Sequence, residues 1–307
     1  MTAGTARREW LLVAVPAACI GVLITWVLAH PAGPGPGAVA HAVALLSAMT
    51  VLGLAGLRLL GSDPADPGVL RLMAIAAGVW TITSLISSWL AAAERVGQSA
   101  TIIGVHDFVR AGGTAPAIIG VGCGLGICIA ALVWIRRPQL VAPEAAAAVA
   151  ALGLVIEPIT GHLRQQTGGV VAVAIHVLAA AWWCGALIAL ALTARGRKAW
   201  ALGLPRFSRQ AQWCVLALLL SGVVAAVLEL DSLSVLWTTG YGRILVAKSI
   251  GLAILLTSAV YLRRRWLPVA ANHRFPETSS LRFAVAEVLL MAVVIGLAAG
   301  LGATAPN

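Results

Sequence analysis

Continuous apolar runs recur from one end of this 307-residue chain to the other. A bilayer core about 30 Å thick needs ~20 apolar residues in helical form, so each run predicts a transmembrane helix. Because the runs are continuous rather than alternating, they favour helices over a β-barrel. We therefore predict an all-α, polytopic transmembrane bundle of about nine spans, at residues 10–29, 38–57, 69–92, 115–135, 141–159, 170–194, 210–228, 243–262 and 282–302.

The distribution of basic residues predicts how this bundle is oriented. With the N-terminus in the cytoplasm, sixteen of the 21 Lys and Arg residues fall on the cytoplasmic side and Lys248 falls within a span. The outer side then holds Arg95, Arg110, Arg164 and Arg243. Loops retained in the cytoplasm carry such an excess, so we predict that the N-terminus is inside and the C-terminus outside. The first apolar run exceeds a signal-peptide core, and we expect it to be retained.

Composition agrees with a lipid environment and argues against several classes of function. Hydrophobic residues make up 60% of the chain and charged residues 10%, far below the roughly one quarter that is usual in soluble domains. The net charge of +10 is explained by the cytoplasmic loops, so we expect the lipid bilayer and no nucleic acid as a partner. No nucleotide-binding, dinucleotide-binding or hydrolase motif is present, and we expect no enzymatic activity.

Five of the six histidines fall on the outer side of the predicted topology, and His273 alone lies inside. Imidazole binds copper, zinc, nickel and iron, so a group of outward-facing histidines predicts a site for metal capture. The alternative for each residue is an ordinary interfacial histidine with one hydrogen bond. The outer histidines are His30, His41, His106, His162 and His176.

His176 is the most informative of these residues because it lies about two turns inside the sixth predicted span. An isolated imidazole at that depth needs a partner. Trp183 shares its helix face and Cys184 is adjacent, although such a stripe is more often core packing. Glu157 and His162 flank the preceding loop and could supply an oxygen and a nitrogen ligand to the same place.

Other unusual residues within the spans have structural as well as functional interpretations. Lys248 could extend its ammonium group outward to the interface. Glu287 could pair with an arginine of an inner loop, or it could take part in proton coupling. The glycines Gly122, Gly124 and Gly126 predict close helix packing. All five cysteines fall within spans, where we expect packing rather than disulfides.

The second half of the chain contains a series of short motifs that together are distinctive. They are Gly161-His162, the helix from His176 to Gly185, Ser221-Gly222, Tyr241-Gly242-Arg243, Lys248, the run Arg263 to Arg265, and Glu287. In these motifs the chain resembles the copper resistance protein D (CopD) family of bacterial inner-membrane proteins. The similarity extends over residues 160–307, which we predict as a CopD-like four-span membrane domain after a five-span region at 1–159.

The resemblance implies that copper is the metal. It implies movement of copper across or at the inner membrane from the periplasmic side, with a soluble periplasmic copper-binding partner. We therefore expect a copper transporter or copper-delivery protein, with His162 and His176 as the main ligands. His41, His106, His30 and Glu157 would be accessory.

Two alternatives remain open from the sequence. In the first, the protein is a b-type membrane cytochrome, and His41 and His176 bind one haem as axial ligands. In the second, it is an assembly factor that passes copper to a membrane oxidase.

Overall fold

The structure is a computed structural model that describes residues 12–31, 33–111, 115–159, 168–229, 234–265 and 277–304. Within these ranges every regular element is helical, as the sequence predicts. The α-helices are α1 (Ala14–Ala29), α2 (Ala38–Ala55), α3 (Pro67–Val96), α4 (Val105–Arg110), α5 (Ala115–Arg136), α6 (Pro143–Ile159), α7 (Gly169–Thr193), α8 (Gly196–Glu229), α9 (Val235–Thr238), α10 (Gly240–Arg265) and α11 (Glu277–Gly302). Short 3₁₀ helices occupy Leu57–Leu60 and Pro138–Leu140.

Each predicted span coincides with one of the long helices, and seven of these are long and apolar enough to cross a membrane. The chain is therefore a multi-pass membrane protein. The helices at the first and fifth predicted spans, α1 and α6, are shorter, with 16 and 17 residues. A straight helix of that length covers about 25 Å, somewhat less than the hydrocarbon core. The count of nine spans thus stays a prediction.

Local signals in the sequence explain where α3 begins and ends. Asp66 precedes the helix, and its carboxylate accepts hydrogen bonds from the backbone N–H groups of Gly68 and Val69. Pro67 fits the first helical position, where a backbone N–H has no partner within the helix. Gly97 ends the helix with φ +69°, a conformation that glycine adopts without the strain of a side chain.

Helices α2 and α11 form the centre of the bundle. Helix α2 packs against α1, α3, α6, α7 and α11, and α11 packs against α1, α2, α7, α8 and α10. Buried side chains from both predicted regions, 1–159 and 160–307, belong to one continuous core. The partition into two domains remains a prediction.

Glycine pairs permit the closest approaches in this core. A methyl group added to Gly53 of α2 would overlap the carbonyl oxygen of Gly185 in α7. In the same way, a methyl group on Gly21 of α1 or Gly296 of α11 would overlap the backbone of the other helix. Close packing at glycines thus occurs at these positions, whereas the sequence predicts it for α5. There Gly124 does approach Thr81, but Gly122 and Gly126 face open space, so their assignment was wrong.

The two ends of the bundle are identified by contacts between α2 and α6. His41, near the start of α2, lies beside Glu157, near the end of α6. Arg58, just after α2, pairs with Glu144 at the start of α6. Following the predicted orientation, we call the end with His41 the outer end and the end with Arg58 the inner end.

Candidate metal site at the outer end of the bundle

His176 is a half-buried imidazole on α7 that contacts the neighbouring helix α8. Its Nδ1 lies 3.1 Å from the hydroxyl oxygen of Ser221. That oxygen also lies 2.6 Å from the carbonyl oxygen of Ala217, one turn earlier on α8. Lys248 of α10 is close enough for its charge to act on the imidazole. Three helices therefore contribute to the surroundings of His176.

The hydrogen bonds of Ser221 determine which nitrogen of His176 can bind a metal. A serine hydroxyl has one hydrogen, and here it is donated to the carbonyl of Ala217. The Ser221 oxygen must then accept a hydrogen from Nδ1 of His176. In the neutral ring this leaves Nε2 without a hydrogen and with a lone pair. Such an Nδ1 hydrogen bond is the usual way in which a metal-binding histidine is held.

His41 and Glu157 form a second polar pair at the outer end. His41 Nδ1 lies 3.7 Å from a carboxylate oxygen of Glu157, which makes an ion pair when the imidazole is protonated. The side chain of His41 is 26% exposed and that of Glu157 is 59% exposed, so both can be reached from outside the core. A nitrogen and an oxygen donor are thus brought together from helices more than one hundred residues apart in sequence.

His176 and His41 lie at a similar depth on neighbouring helices. Helices α2 and α7 run in the same direction, because Leu60, just after α2, and Leu190, near the end of α7, both approach Gly203. The two helices contact each other where Gly185 meets Met49 and Gly53. From that contact, at 1.5 Å per residue, His41 lies about 12–18 Å and His176 about 14 Å toward the start of its helix. Both are therefore in the outer half of the bundle.

The remaining predicted ligands are placed apart from these pairs or lie outside the described residues. His106 is on the short helix α4, where its Nδ1 lies 3.6 Å from Asp107 and its side chain is 73% exposed. His30 is exposed just after α1. His162 lies outside the described residues. In the part of the chain that the structure describes, no three His, Cys, Asp or Glu side chains come close enough to form a metal cluster.

The tract Tyr241-Gly242-Arg243 at the start of α10 has a clear structural role at the outer end. Arg243 donates a hydrogen bond from Nε to the carbonyl oxygen of Leu28, 2.7 Å away at the last turn of α1. The carbonyls of that turn have no partners within α1, and a guanidinium group there also interacts favourably with the helix dipole. Gly240 lies against the backbone of Ala29, where a methyl group would be too close. The tract therefore attaches α10 to α1.

Comparison with known protein families supports a role connected with copper. Residues 201–301 match the family model of copper resistance protein D. The resemblance noted from the sequence is thereby confirmed over most of α8, all of α9 and α10, and all of α11 except its last residue. No curated protein and no solved structure matches the chain.

The boundary of the CopD match places the candidate ligands in relation to the family. The matched segment includes Ser221, Arg243, Lys248 and Glu287, whereas the histidines His162 and His176 precede it. His176 nevertheless contacts the matched segment through Ser221. Ser221 itself was absent from the predicted ligand set. Its polar side chain within a span was the available signal, but its partner could not be deduced from spacing.

Proposed function

We propose that this protein transports or delivers copper at the bacterial inner membrane and takes up the metal at its extracytoplasmic face. It acts as a carrier rather than an enzyme. The observation that supports this best is His176, whose Nδ1 is held by Ser221 of the CopD-matched segment, so that Nε2 keeps its lone pair. A neutral imidazole held in this way suits copper.

The polar pairs suggest an order in which copper meets the protein. His41 and Glu157 are the more accessible pair, so they would receive copper first from a soluble periplasmic copper-binding protein. His176 lies within a span and would bind the ion next. His162, His106 and His30 remain accessory ligands in this proposal, and water or the partner protein would complete the coordination.

Copper binding and accumulation test the proposal directly. We expect His176→Ala to remove a bound copper ion from the purified protein and to reduce copper accumulation in cells to the level of an empty vector. His273→Ala is the matched control, because the predicted topology places His273, unlike the other five histidines, on the cytoplasmic side. It should keep both properties. If the double variant His41→Ala, His176→Ala binds and accumulates copper normally, the assignment of these ligands is wrong.

Ser221→Ala tests whether the orientation of the His176 imidazole matters for copper binding, since the ligand itself remains. The variant keeps the imidazole but removes the oxygen that accepts from Nδ1. Loss of such a partner weakens metal binding by roughly 10–100-fold in other sites, and we expect a weakening of about tenfold here. If Ser221→Ala binds copper with unchanged affinity, the hydrogen bond from Nδ1 to Ser221 does not orient the ring.

Two measurements separate copper transport from the alternatives that the sequence left open. A haem absorption band in the purified protein would favour the b-type cytochrome, with His41 and His176 as axial ligands. Absence of copper flux in liposomes, together with a stable oxidase partner, would favour an assembly factor. Copper flux by the colourless protein alone would support the carrier.

A further inference from the structure

A cleft of about 310 Å³ lies in the inner half of the protein, between α7, α8, α10 and α11. Gln210, two residues from the cleft residue Ser208, donates a hydrogen bond to the carbonyl of Leu59, which places this region near the inner end. The walls are mainly apolar and include Leu204, Phe207 and Leu256. The polar groups in the cleft belong to Trp183, Ser208, Gln212, Arg263 and Glu287.

Glu287 is the unusual residue in this cleft. It lies on α11 and is only 6% exposed. An ionised carboxylate buried in a membrane protein is costly unless it is paired and hydrogen-bonded. Across the ranges that the structure describes, no hydrogen bond or direct ion pair to this carboxylate is found. The guanidinium group of Arg263 acts on this carboxylate through space, but it donates a hydrogen bond to the backbone carbonyl of Ser208.

A second polar group in the same cleft also has no hydrogen-bond partner. The indole Nε1 of Trp183 is fully buried and donates to no atom in the described part of the chain. Buried polar groups are hydrogen-bonded in the great majority of cases, so an acceptor and a donor without partners in one cleft indicate bound water or another small polar occupant. The cleft is large enough for several water molecules.

Among the described residues, few charged or titratable groups lie around Glu287. Arg263 on α10 and the buried thiol of Cys184 on α7 act on it. Helix α8 contributes the uncharged side chains of Ser208 and Gln212. Of the other helices packed against α11, α1 carries one titratable group, Cys19, and α2 carries His41, which lies at the outer end.

We propose that Glu287 is a proton-exchange site that is reached through this cleft from the inner side of the membrane. A carboxylate oxygen accepts a proton from a hydronium ion in the cleft, forms one O–H bond and leaves water. Release is the reverse step. Arg263 remains on the backbone of α8 and compensates the negative charge when the proton leaves. A permanent ion pair between Glu287 and Arg263 is the competing arrangement.

This inference extends the proposed function, because a proton site at the inner end could supply energy for copper movement from the outer end. Only this coupling of proton movement to copper movement rests on the proposed function. The proton site itself can be tested on the metal-free protein, so a negative result for copper transport would leave the proton result standing.

Infrared difference spectroscopy of the full-length, metal-free protein in lipid nanodiscs tests the site. Spectra recorded at acidic and alkaline pH should differ by the carbonyl stretch of a protonated carboxylic acid. We expect Glu287→Gln to lose this band. Glu144→Gln, which changes an exposed carboxylate paired with Arg58 at the same end, should keep it. In heavy water the band should shift, because the cleft gives water access to the acid.

A second variant covers the case in which Glu287→Gln does not fold. Glu287→Asp keeps a carboxylic acid at a changed position, so the band should remain but move in frequency. If the spectra of wild type and Glu287→Asp are identical, or if no acid band appears at any pH, Glu287 does not exchange protons and the permanent ion pair is correct.

Discussion

Two sets of helices in this protein have similar hydropathy but differ in how much of their surface is buried inside the protein. In the central helices α2 and α11, 61% of the most apolar segment is buried, compared with 17% in α8 and 11% in α10. Mean hydropathy does not separate the two sets, since α2 and α10 have values of 2.0 and 1.9. Lipid and protein core are both apolar, so hydropathy reports that a helix is in the membrane and not what surrounds it.

The contacts of the two sets explain their different environments. Backbones in the central set approach closely at glycines, as in the contact between Gly53 and Gly185. Helices α8 and α10 form the greater part of the CopD-matched segment, and individual polar contacts fix them. Those contacts run from Arg243 to α1, from Arg263 to Ser208, from Gln210 to Trp182 and from Ser221 to His176. Ser221 and Arg263 therefore lie on helices that a few hydrogen bonds join to a tightly packed centre. His41 and Glu287 belong to the central helices themselves.

The largest expected effect comes from breaking the central packing. Gly185→Leu places a side chain where the carbonyl of Met49 and the backbone of Gly53 now lie. Backbone atoms cannot yield as a flexible side chain can, so we expect destabilisation at the upper end for overpacked cores, about 3 kcal/mol or more. Thermal unfolding in detergent and the yield of monodisperse protein measure this effect.

Gly126→Leu is the matched control for that change. Gly126 is also a glycine within a long apolar helix, but no atom of another helix lies within 4 Å of where its Cβ would be. We expect wild-type unfolding behaviour. Equal loss of stability in both variants would show that any bulky residue in these helices is harmful, and that the glycine contacts do not account for the packing of the centre.

The positions of the helices along the chain could be predicted from the sequence. Which helices pack against each other could not. Continuous apolar runs located every long helix, because the cost of unpaired backbone groups in lipid leaves few other structures. The glycines in close contact were not identified. Gly122 and Gly126 resemble Gly53 and Gly185 in sequence context, and only the arrangement of helices distinguishes a packed glycine from one in open space.

Polar residues of the candidate site could be selected from the sequence. Which of them contact each other could not be predicted. The cost of polar groups within spans singled out His176 and Glu287. Glu157 was expected near His176, but the structure places it beside His41. Ser221, the partner of His176, is 45 residues away in sequence. Spacing along one helix predicts a shared face, but it carries no information about which helices are adjacent.

An intermediate effect is expected from detaching α10. Arg243→Ala removes the hydrogen bond to the carbonyl of Leu28 and leaves the end of α1 without this partner. Hydrogen bonds from charged donors contribute about 1.5–3 kcal/mol, and partial exposure of Arg243 reduces this to about 1–2 kcal/mol. Thermal unfolding again measures the change. Arg264→Ala, at an exposed position on the same helix, should have no measurable effect. If the two variants behave alike, α10 is held by something other than its polar contacts.

The smallest effect on stability is expected from removing a hydrogen bond between α7 and α8. Trp182 donates from its indole Nε1 to the side-chain oxygen of Gln210, 2.9 Å away, and its ring also packs on Gly56. Trp182→Phe keeps most of the ring and removes the donor, so we expect a loss of about 1 kcal/mol.

Trp213→Phe is the control for this last change, because Trp213 is 70% exposed on α8. Comparison of the two unfolding curves isolates the hydrogen bond from the general effect of replacing tryptophan. If Trp182→Phe destabilises the protein as much as Gly185→Leu, α8 is as firmly attached as the central helices. Helix α8 would then belong to the tightly packed centre, and the two sets of helices would not differ in how firmly they are held.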